Sequence, residues 1–320
     1  MSGTPTPPVS IEGRPLGDRL FKGVLTLLAA TVPVLLLVLA FGLWKGAAPA
    51  IDRFGLGFLS ASTWDPVMEE FGAFPLIAGT LLSAALALLI AVPLSLGVAI
   101  FLTEFAPQRI RGPVAFLIEM LAAIPSVVYG LWGIFVLIPF LRTTAYPLLK
   151  GVLGFLPFFQ GTIYGPSMLS AALILAIMVM PFIMSVAREV LLAVPASQRE
   201  AALALGATRW EAAWTAVVPY ARSGIFGAVI LGLGRALGET MAVTMLIGNR
   251  HEISASLFAP GYTMAAAIAN EFAEATSEIH LAALTYVAFA LFIITLVINA
   301  IARLLIWRVA KGAAIGSKAA

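Results

Sequence analysis

Residues 223–248 have the sequence SGIFGAVILGLGRALGETMAVTMLIG, which is almost wholly apolar. A helix of this length crosses a hydrocarbon core about 30 Å thick. Its only charged side chains are Arg235, near the middle, and Glu239. A charge at the centre of a bilayer costs between about 2.5 and about 17 kcal/mol, so it persists only where it faces a bundle interior or a wet cavity. The stretch therefore predicts a membrane helix that lines a pathway.

The composition extends this prediction to the whole chain. Of the 320 residues, 61% are hydrophobic and 11% are charged, which is too little charge for a soluble domain of this size. We therefore predict an all-α polytopic membrane protein. The absence of cysteine excludes disulfides and thiolate metal sites, and two histidines leave little for a zinc or haem site. We expect no metal and no cofactor to be bound by this chain.

Six apolar segments are long enough to cross a membrane. We predict transmembrane helices at residues 21–43, 76–102, 113–141, 167–187, 222–249 and 281–306. The first is followed by Ala48-Pro49-Ala50, which resembles a signal-peptidase site. Secretory apolar regions run about 7 to 15 residues, and this segment is a full span, so we predict no cleavage. Residues 1–20 are predicted to be a mobile tail, 21–75 the first span with its outer loop, 76–310 the membrane core and 311–320 a C-terminal tail.

Lysine and arginine are distributed unevenly between the two sides of the membrane. Six spans place thirteen of them on the side that holds both termini and the 188–222 loop, and five on the other side. Cytoplasmic loops carry the excess of lysine and arginine. We therefore predict a multi-pass protein with both termini in the cytoplasm.

The cytoplasmic segment between the fourth and fifth spans, residues 195–219, is predicted to form two short helices, and we call it the elbow. Residues 197–200 and 208–211 each have the capping-box form S/T-x-x-E, which predicts a helix start. Gly206 lies between them and predicts the end of the first helix. A DNA-binding helix-turn-helix is a poor alternative, because the elbow is tethered between two spans and its charges roughly alternate in sign.

The elbow resembles the EAA signature of type I ABC transporter permeases. The matching residues are Glu200, Ala201, Ala202, Gly206 and Pro219. The sequence departs mildly from the family at Ala216 and Val218, where isoleucine and leucine are usual. The resemblance implies a coupling helix that docks into a groove on an ATPase subunit, with the first four matching residues at the contact. An ordinary pair of interfacial helices is the alternative.

Three further stretches resemble the permease subunits of phosphate-specific ABC importers, of the PstC type. They are residues 64–75, 124–133 and 232–243. The resemblance covers the chain apart from its N-terminal tail. It implies the ABC type I permease fold, with six transmembrane helices and a cytoplasmic coupling helix between the fourth and the fifth. The PstA-type subunit of the same importers is close in sequence.

The resemblance implies a subunit that carries inorganic phosphate across the bacterial cytoplasmic (inner) membrane by alternating access. Its partners would be a second permease subunit of the PstA type, two ATP-binding subunits that use ATP and Mg²⁺, and an extracytoplasmic phosphate-binding protein. No glycine precedes any of the five lysines, so this chain lacks the phosphate-cradling G-x-x-x-x-G-K-[ST] loop and is not expected to be catalytic on its own. We expect no nucleic acid partner.

Two alternatives remain open for the function. The cargo of the ABC importer is another oxyanion, such as sulfate, molybdate or phosphonate, or the chain is a secondary anion carrier. A carrier also buries an ion pair at the midplane, but it needs no ATPase dock. An intramembrane enzyme lacks support, because neither histidine falls in a predicted span.

The charged centre of the fifth span is the candidate substrate pathway. On a helix, Gly232, Arg235, Gly238 and Glu239 share one face. Small residues leave room for a tetrahedral anion beside the guanidinium, whose planar fork suits two phosphate oxygens. In the competing interpretation the small residues form a helix contact and the two charges neutralise each other. Both interpretations hold together if arriving phosphate displaces the carboxylate.

Two hydroxyl side chains in the third span, Ser126 and Tyr129, are further candidates for the pathway. They follow Pro125, which removes a backbone donor and opens the helix. The alternative is a kinked packing helix in which both hydroxyls are satisfied locally.

Overall fold

The computed structural model describes residues 15–316, with side chains for residues 17–307, and almost all of this range is helical. The α-helices are α1 (Pro15–Phe54), α2 (Phe74–Ile100), α3 (Gln108–Ala122), α4 (Ser126–Trp132), α5 (Ile138–Phe140), α6 (Tyr146–Leu153), α7 (Met168–Leu192), α8 (Ala196–Ala204), α9 (Arg209–Ala212), α10 (Val218–Leu237), α11 (Met241–Ile247), α12 (Met264–Glu271) and α13 (Glu278–Gly316). π-helical turns lie at Phe101–Phe105, Gly133–Leu137, Leu141–Ala145 and Ala213–Val217, and 3-10 turns at Gly55–Leu59 and Pro157–Phe159. Within the described range, the one sheet is an antiparallel hairpin of β1 (Trp64–Asp65) and β2 (Glu70–Phe71).

Six continuous helical segments are long and apolar enough to cross a membrane, as predicted. They are Gly17–Leu59, Phe74–Phe105, Ser126–Leu153, Met168–Leu192, Arg209–Leu237 and Glu278–Trp307. The all-α fold class with six spans is therefore confirmed. The predicted N-terminal tail lies mostly outside the described residues, but residues 15–20 already belong to α1. Pro15 begins that helix, a position where the missing amide of proline costs nothing.

The segment 45–75, which was predicted to lie in the outer loop, is helical in its first part. α1 continues to Phe54 before the chain turns into the β1–β2 hairpin. The ring of Phe58 stacks on that of Tyr286 in α13, with centroids 4.4 Å apart. This aromatic packing fixes the 3-10 turn that follows α1 against α13.

The third span begins later than predicted. The predicted helix over 113–141 is broken, because α3 ends at Ala122 and α4 starts after Pro125. Proline disfavours helical backbone in the residue before it. The span then runs to Leu153, so Arg142, which follows the predicted span, lies in a helical turn.

α7 is the most buried of the spans and forms the centre of the bundle. Its residues Ile174, Val179 and Ile183 are wholly buried in the main core. Small residues of α2 lie in the same core, and Ser95 of α2 donates a hydrogen bond to the carbonyl oxygen of Met180 at 3.2 Å. Small side chains let membrane helices approach closely. α7 therefore connects α2 with α10 and α11, which it also contacts.

Candidate functional site

The fifth span ends earlier than predicted, next to its charged residues. α10 ends at Leu237, residues 238–240 are not helical, and α11 begins at Met241. Glycine destabilises a helix interior by about 1 kcal/mol relative to alanine, and three glycines fall within residues 232–238. The prediction of one continuous helix over 222–249 is wrong. Arg235 therefore lies in the last turn of a helix and faces a break in the backbone.

Arg235 and Glu239 do not form the predicted ion pair in the part of the chain that the structure describes. Oε1 of Glu239 instead accepts a hydrogen bond from the backbone N–H of Ala242 at 3.3 Å. A carboxylate at a helix N-terminus is stabilised by the free amides and by the helix dipole. The start of α11 therefore compensates the charge of Glu239, and Arg235 is left to other partners.

The guanidinium of Arg235 has unused hydrogen-bonding capacity. Its Nε is buried and has no hydrogen-bond partner within residues 17–307. Its Cζ lies 5.9 Å from the ring centre of Phe182 on α7. A buried donor without a partner costs about 1–3 kcal/mol, and more when it is charged. An oxyanion supplies the kind of acceptor that this donor lacks.

The two glycines predicted beside Arg235 differ in their surroundings. A Cβ at Gly232 would lie 2.7 Å from the side chain of Ile183, so this glycine allows α10 to pack closely on α7. A Cβ at Gly238 would meet nothing closer than the Gly234 carbonyl oxygen, at 3.6 Å. Gly238 lines a cavity of about 720 Å³ between α1 and α13. The helix-contact interpretation therefore explains Gly232. It does not explain Gly238, which directly follows α10 and is not closely packed.

The structure brings the region of Tyr129 next to the break. α4 packs on α11 so closely that a Cβ at Gly130 would collide with a side chain of α11. The Tyr129 hydroxyl donates a hydrogen bond to the carbonyl oxygen of Leu121 at 2.8 Å. Ser126 is the half-buried first residue of α4. The Tyr129 hydroxyl is therefore satisfied locally, as the packing interpretation predicts.

The elbow contains two short helices, as predicted, and one of its two predicted capping boxes. The hydroxyl of Thr208 accepts from the Glu211 amide at 3.3 Å, and the Glu211 carboxylate accepts from the Thr208 amide at 2.7 Å. The capping box predicted for Ser197 and Glu200 is wrong. α8 starts directly after Pro195, so Ser197 is already inside the helix and its hydroxyl is not at the cap.

Gly206 ends the first elbow helix, as predicted, and it adopts the left-handed conformation. Its φ is +93°. Its N–H donates to the Leu203 carbonyl at 3.0 Å, and the Ala207 N–H donates to the Ala202 carbonyl at 3.2 Å. These two bonds form a Schellman motif, in which glycine adopts positive φ without steric cost. Gly206 thus sets the angle between α8 and α9.

The elbow presents an exposed surface on the predicted cytoplasmic side. α8 has no buried residue, and Glu200 and Ala201 are exposed. Leu205 is 90% exposed and Trp210 is 58% exposed. Exposed apolar side chains grouped in this way mark interaction sites. The elbow therefore has the character of a docking surface.

A polar cluster on the predicted outer side was missed by the sequence analysis. The imidazoles of His251 and His280 each place Nε2 3.4 Å from the carboxylate of Glu271. The indole N–H of Trp64 donates to the same carboxylate at 2.8 Å, and its ring stacks on His251. No set of three His, Cys, Asp or Glu side chains in the described residues is arranged to hold a metal ion. The cluster therefore joins the hairpin to the loop before α12, to the end of α12 and to the start of α13.

We expect the loop at residues 248–263 to open more readily as the pH falls below about 6.5, the ordinary pKa of histidine. Burial lowers the pKa of His251, and the nearby Glu271 carboxylate opposes that shift in part. The open loop then binds a proton that the packed loop does not hold. The stability of the packing is complete above about 6.5 and is lost as the pH falls towards the lowered pKa.

Hydrogen exchange of residues 248–263, corrected for the intrinsic effect of pH, measures this opening. The variant His251→Phe keeps an aromatic ring against Trp64 and should lose the pH dependence. The same pH dependence in this variant would assign it to another group.

Several known proteins are similar to this chain. A family model described as "Binding-protein-dependent transport system inner membrane component" matches residues 91–311. The phosphate transport system permease protein PstC of Mesorhizobium japonicum is 48% identical over 298 residues, which cover 92% of this chain and 91% of that protein. The protein of the same name from Haemophilus influenzae is 47% identical over 293 residues, with 90% and 93% covered. A probable PstC protein from Methanocaldococcus jannaschii is 38% identical over 285 residues, with 87% and 90% covered.

Among solved structures, a bacterial alginate ABC transporter matches with a TM-score of 0.58 at 15% identity, over 91% of this chain and 96% of that chain. The MetNI methionine ABC transporter matches with a TM-score of 0.51 at 18% identity, over 74% and 94%. At these identities the likeness concerns the fold alone.

Proposed function

This chain belongs to the family of binding-protein-dependent transport system inner membrane components, and from that premise we infer that it is the permease subunit of an ATP-driven importer of inorganic phosphate. The observation that carries the assignment of phosphate is the 47–48% identity to PstC permeases over at least 90% of the chain. Transporters of alginate and methionine share the fold at only 15% and 18% identity.

The chain provides a membrane pathway, and its partners provide the energy and the delivery of phosphate. We place a second permease subunit of the PstA type beside it, two ATP-binding subunits that use ATP and Mg²⁺ beneath it, and a phosphate-binding protein on its outer side. The exposed apolar side chains of the elbow support the ATPase dock. ATP hydrolysis then drives alternating access through the elbow.

Arg235 is the residue that we propose meets phosphate. Its buried Nε lacks an acceptor, and its planar guanidinium presents parallel donors that match two phosphate oxygens. Glu239 lies four residues away at the start of α11, where its carboxylate accepts a hydrogen bond from a protonated phosphate oxygen. Sulfate, which is fully ionised near neutral pH, offers no such donor.

The experiment that tests the function uses the complete complex in lipid vesicles. The expected result is ATP hydrolysis and uptake that both rise when the binding protein is loaded with phosphate, and no rise with sulfate at the same concentration. Equal stimulation by sulfate would contradict the assignment of phosphate as the cargo. Uptake that does not depend on ATP would contradict the assignment to ATP-driven importers and favour a secondary carrier.

We expect the elbow variants Glu200→Ala and Gly206→Ala to lower phosphate uptake several-fold while the chain stays in the membrane. A side chain at Gly206 must adopt a φ of +93°, which costs about 1–2 kcal/mol for an L-residue. A Cβ there meets no atom within 4 Å, so the effect comes from backbone strain and not from a clash. Uptake and co-purification of the ATPase are the measurements. Gly57→Ala, on the outer side and equally free of contacts, is the matched control. Wild-type uptake in both elbow variants would contradict the dock.

The orientation is tested by labelling, because the natural chain has no cysteine. We expect Ser60→Cys and Thr276→Cys to react with an impermeant maleimide on spheroplasts, and Ser197→Cys to react only after the membrane is opened. All three positions lie outside the six spans, and Ser60, Thr276 and Ser197 are exposed. The reverse pattern of labelling would invert the orientation.

A further inference from the structure

Arg199, one residue before the EAA segment, binds to two different spans. Its Nε and Nη2 donate to the carboxylate of Glu104, with N–O distances of 2.9 to 3.1 Å. Its Nη1 donates to the Val194 carbonyl at 2.7 Å, and its Nη2 also donates to the Leu191 carbonyl at 2.8 Å. Every nitrogen of the guanidinium is therefore engaged. Glu104 lies in the π-helical turn at the cytoplasmic end of the second span, and Leu191 lies in the last turn of α7.

The ion pair is better shielded than the other Lys/Arg–carboxylate pairs of the described residues. The side chains of Arg199 and Glu104 are 24% and 12% exposed, whereas those of Arg53 and Glu69 are 46% and 39% exposed. A bidentate contact also fixes the relative orientation of the two groups, which a single contact does not. Arg199 thus holds α8 in one orientation against the ends of the second span and of α7.

α7 reaches from this contact to the candidate phosphate site. Leu191, bound by Arg199, and Phe182, which contacts the guanidinium of Arg235, are nine residues apart on α7, or about 14 Å along a helix. Ile183 packs against Gly232 on α10, where there is no space for a Cβ. Close packing of this kind transmits displacement, because protein interiors have low compressibility. A movement of α8 therefore moves the surroundings of Arg235.

We propose that Arg199 is the positioning element that transmits movement of the elbow to α7 and from there to the surroundings of Arg235, with Glu104 holding its guanidinium against the Leu191 carbonyl. We call the Arg199–Glu104 pair the clamp. The inference rests on the proposed function, since it presumes that an ATPase acts on the elbow. The clamp touches neither phosphate nor ATP. Its loss leaves the ATPase dock and Arg235 in place but frees the guanidinium that joins α8 to the second span and to α7.

The variants Arg199→Gln and Glu104→Gln test the clamp through the coupling ratio, defined as phosphate imported per ATP hydrolysed. We expect a fall of at least about five-fold in each variant, with phosphate-stimulated hydrolysis retained. The double variant should be no worse than the single variants, because residues that act as one unit are not additive. Arg188→Gln removes the ion pair between half-buried Arg188 and exposed Glu189 at the same end of α7. It is the matched control and should keep the wild-type ratio. A purely structural pair would lower the amount of assembled complex and leave the ratio per complex unchanged.

A cross-link separates the mechanical role from an effect on folding. Arg199 and Glu104 line a cavity of about 420 Å³, which gives a small reagent access to both positions. In the variant Glu104→Cys with Arg199→Cys, the coupling ratio should be low, rise when a short thiol-cleavable cross-linker joins the two cysteines, and fall again after reduction. The natural chain, which has no cysteine, receives the same treatment as a control.

The outcomes distinguish this inference from the proposed function. If the natural complex does not take up phosphate, the proposed function fails. If the natural complex transports phosphate and the glutamine variants keep its coupling ratio, or the cross-link leaves a low ratio unchanged, the clamp is overturned and the function stands.

Discussion

Arg235→Gln is expected to reduce phosphate uptake by at least about 100-fold while the subunit still assembles. Hydrogen bonds to charged groups contribute about 1.5–3 kcal/mol each, so the loss of two bonds to phosphate corresponds to roughly that factor or more. Assembly should survive because Glu239 is not stranded by the change. Its carboxylate is bound to the start of α11 and not to Arg235. Uptake in reconstituted vesicles and the amount of complex in the membrane are the two measurements.

Three companion variants decide what Arg235 does. Arg235→Lys should also be impaired, because the ammonium keeps the charge and loses the bidentate geometry. Arg235→Gln combined with Glu239→Gln should transport no better than Arg235→Gln alone. Arg53→Gln, which removes an exposed arginine paired with Glu69, should transport normally. Uptake at the natural rate by the double variant would remove Arg235 from the pathway and leave it a structural role.

Gly79→Ala is expected to have the largest effect on stability. A Cβ at Gly79 would lie 2.0 Å from the carbonyl oxygen of Tyr262 and 3.0 Å from its carbonyl carbon. Both are backbone atoms, so no side-chain rotation relieves the overlap. The neighbouring Thr80 hydroxyl accepts a hydrogen bond from the Met264 amide at 2.9 Å, which fixes α2 and the chain before α12 at this distance. Overpacking of this kind costs about 1–3 kcal/mol or more.

The thermal unfolding midpoint of the purified complex measures this cost, and we expect it to fall by several degrees. Gly97→Ala is the matched control, because it lies in the same helix and a Cβ there meets no atom within 4 Å. Alanine at that position should be neutral or slightly stabilising, since it is the better helix former. An unchanged midpoint for Gly79→Ala would mean that α2 and the Tyr262 segment move apart easily.

Local chemistry in the sequence predicted much of the framework. The number of spans follows from apolar segments of bilayer length. The Thr208 capping box and the left-handed Gly206 depend on bonds within five residues, so each is encoded where it forms. The capping box at Ser197 failed because Pro195 supplied an earlier start to the helix. Competition between neighbouring local signals is settled by free-energy differences too small to rank from sequence.

The sequence by itself determined the class of protein and the number of its spans, and it identified Arg235 and Glu239 as charged groups that need partners. Only the tertiary structure decided their partners. After the break at Leu237, the Glu239 carboxylate accepts a hydrogen bond from the start of α11. The clamp joins residues that are 95 positions apart, and the hydrogen bond from Trp64 to Glu271 joins residues that are 207 positions apart. Such contacts depend on how whole helices pack, and packing free energy is distributed over many side chains of the core. A charge pattern on one helix therefore identifies which groups need a partner. The packing of the other helices decides which group becomes that partner.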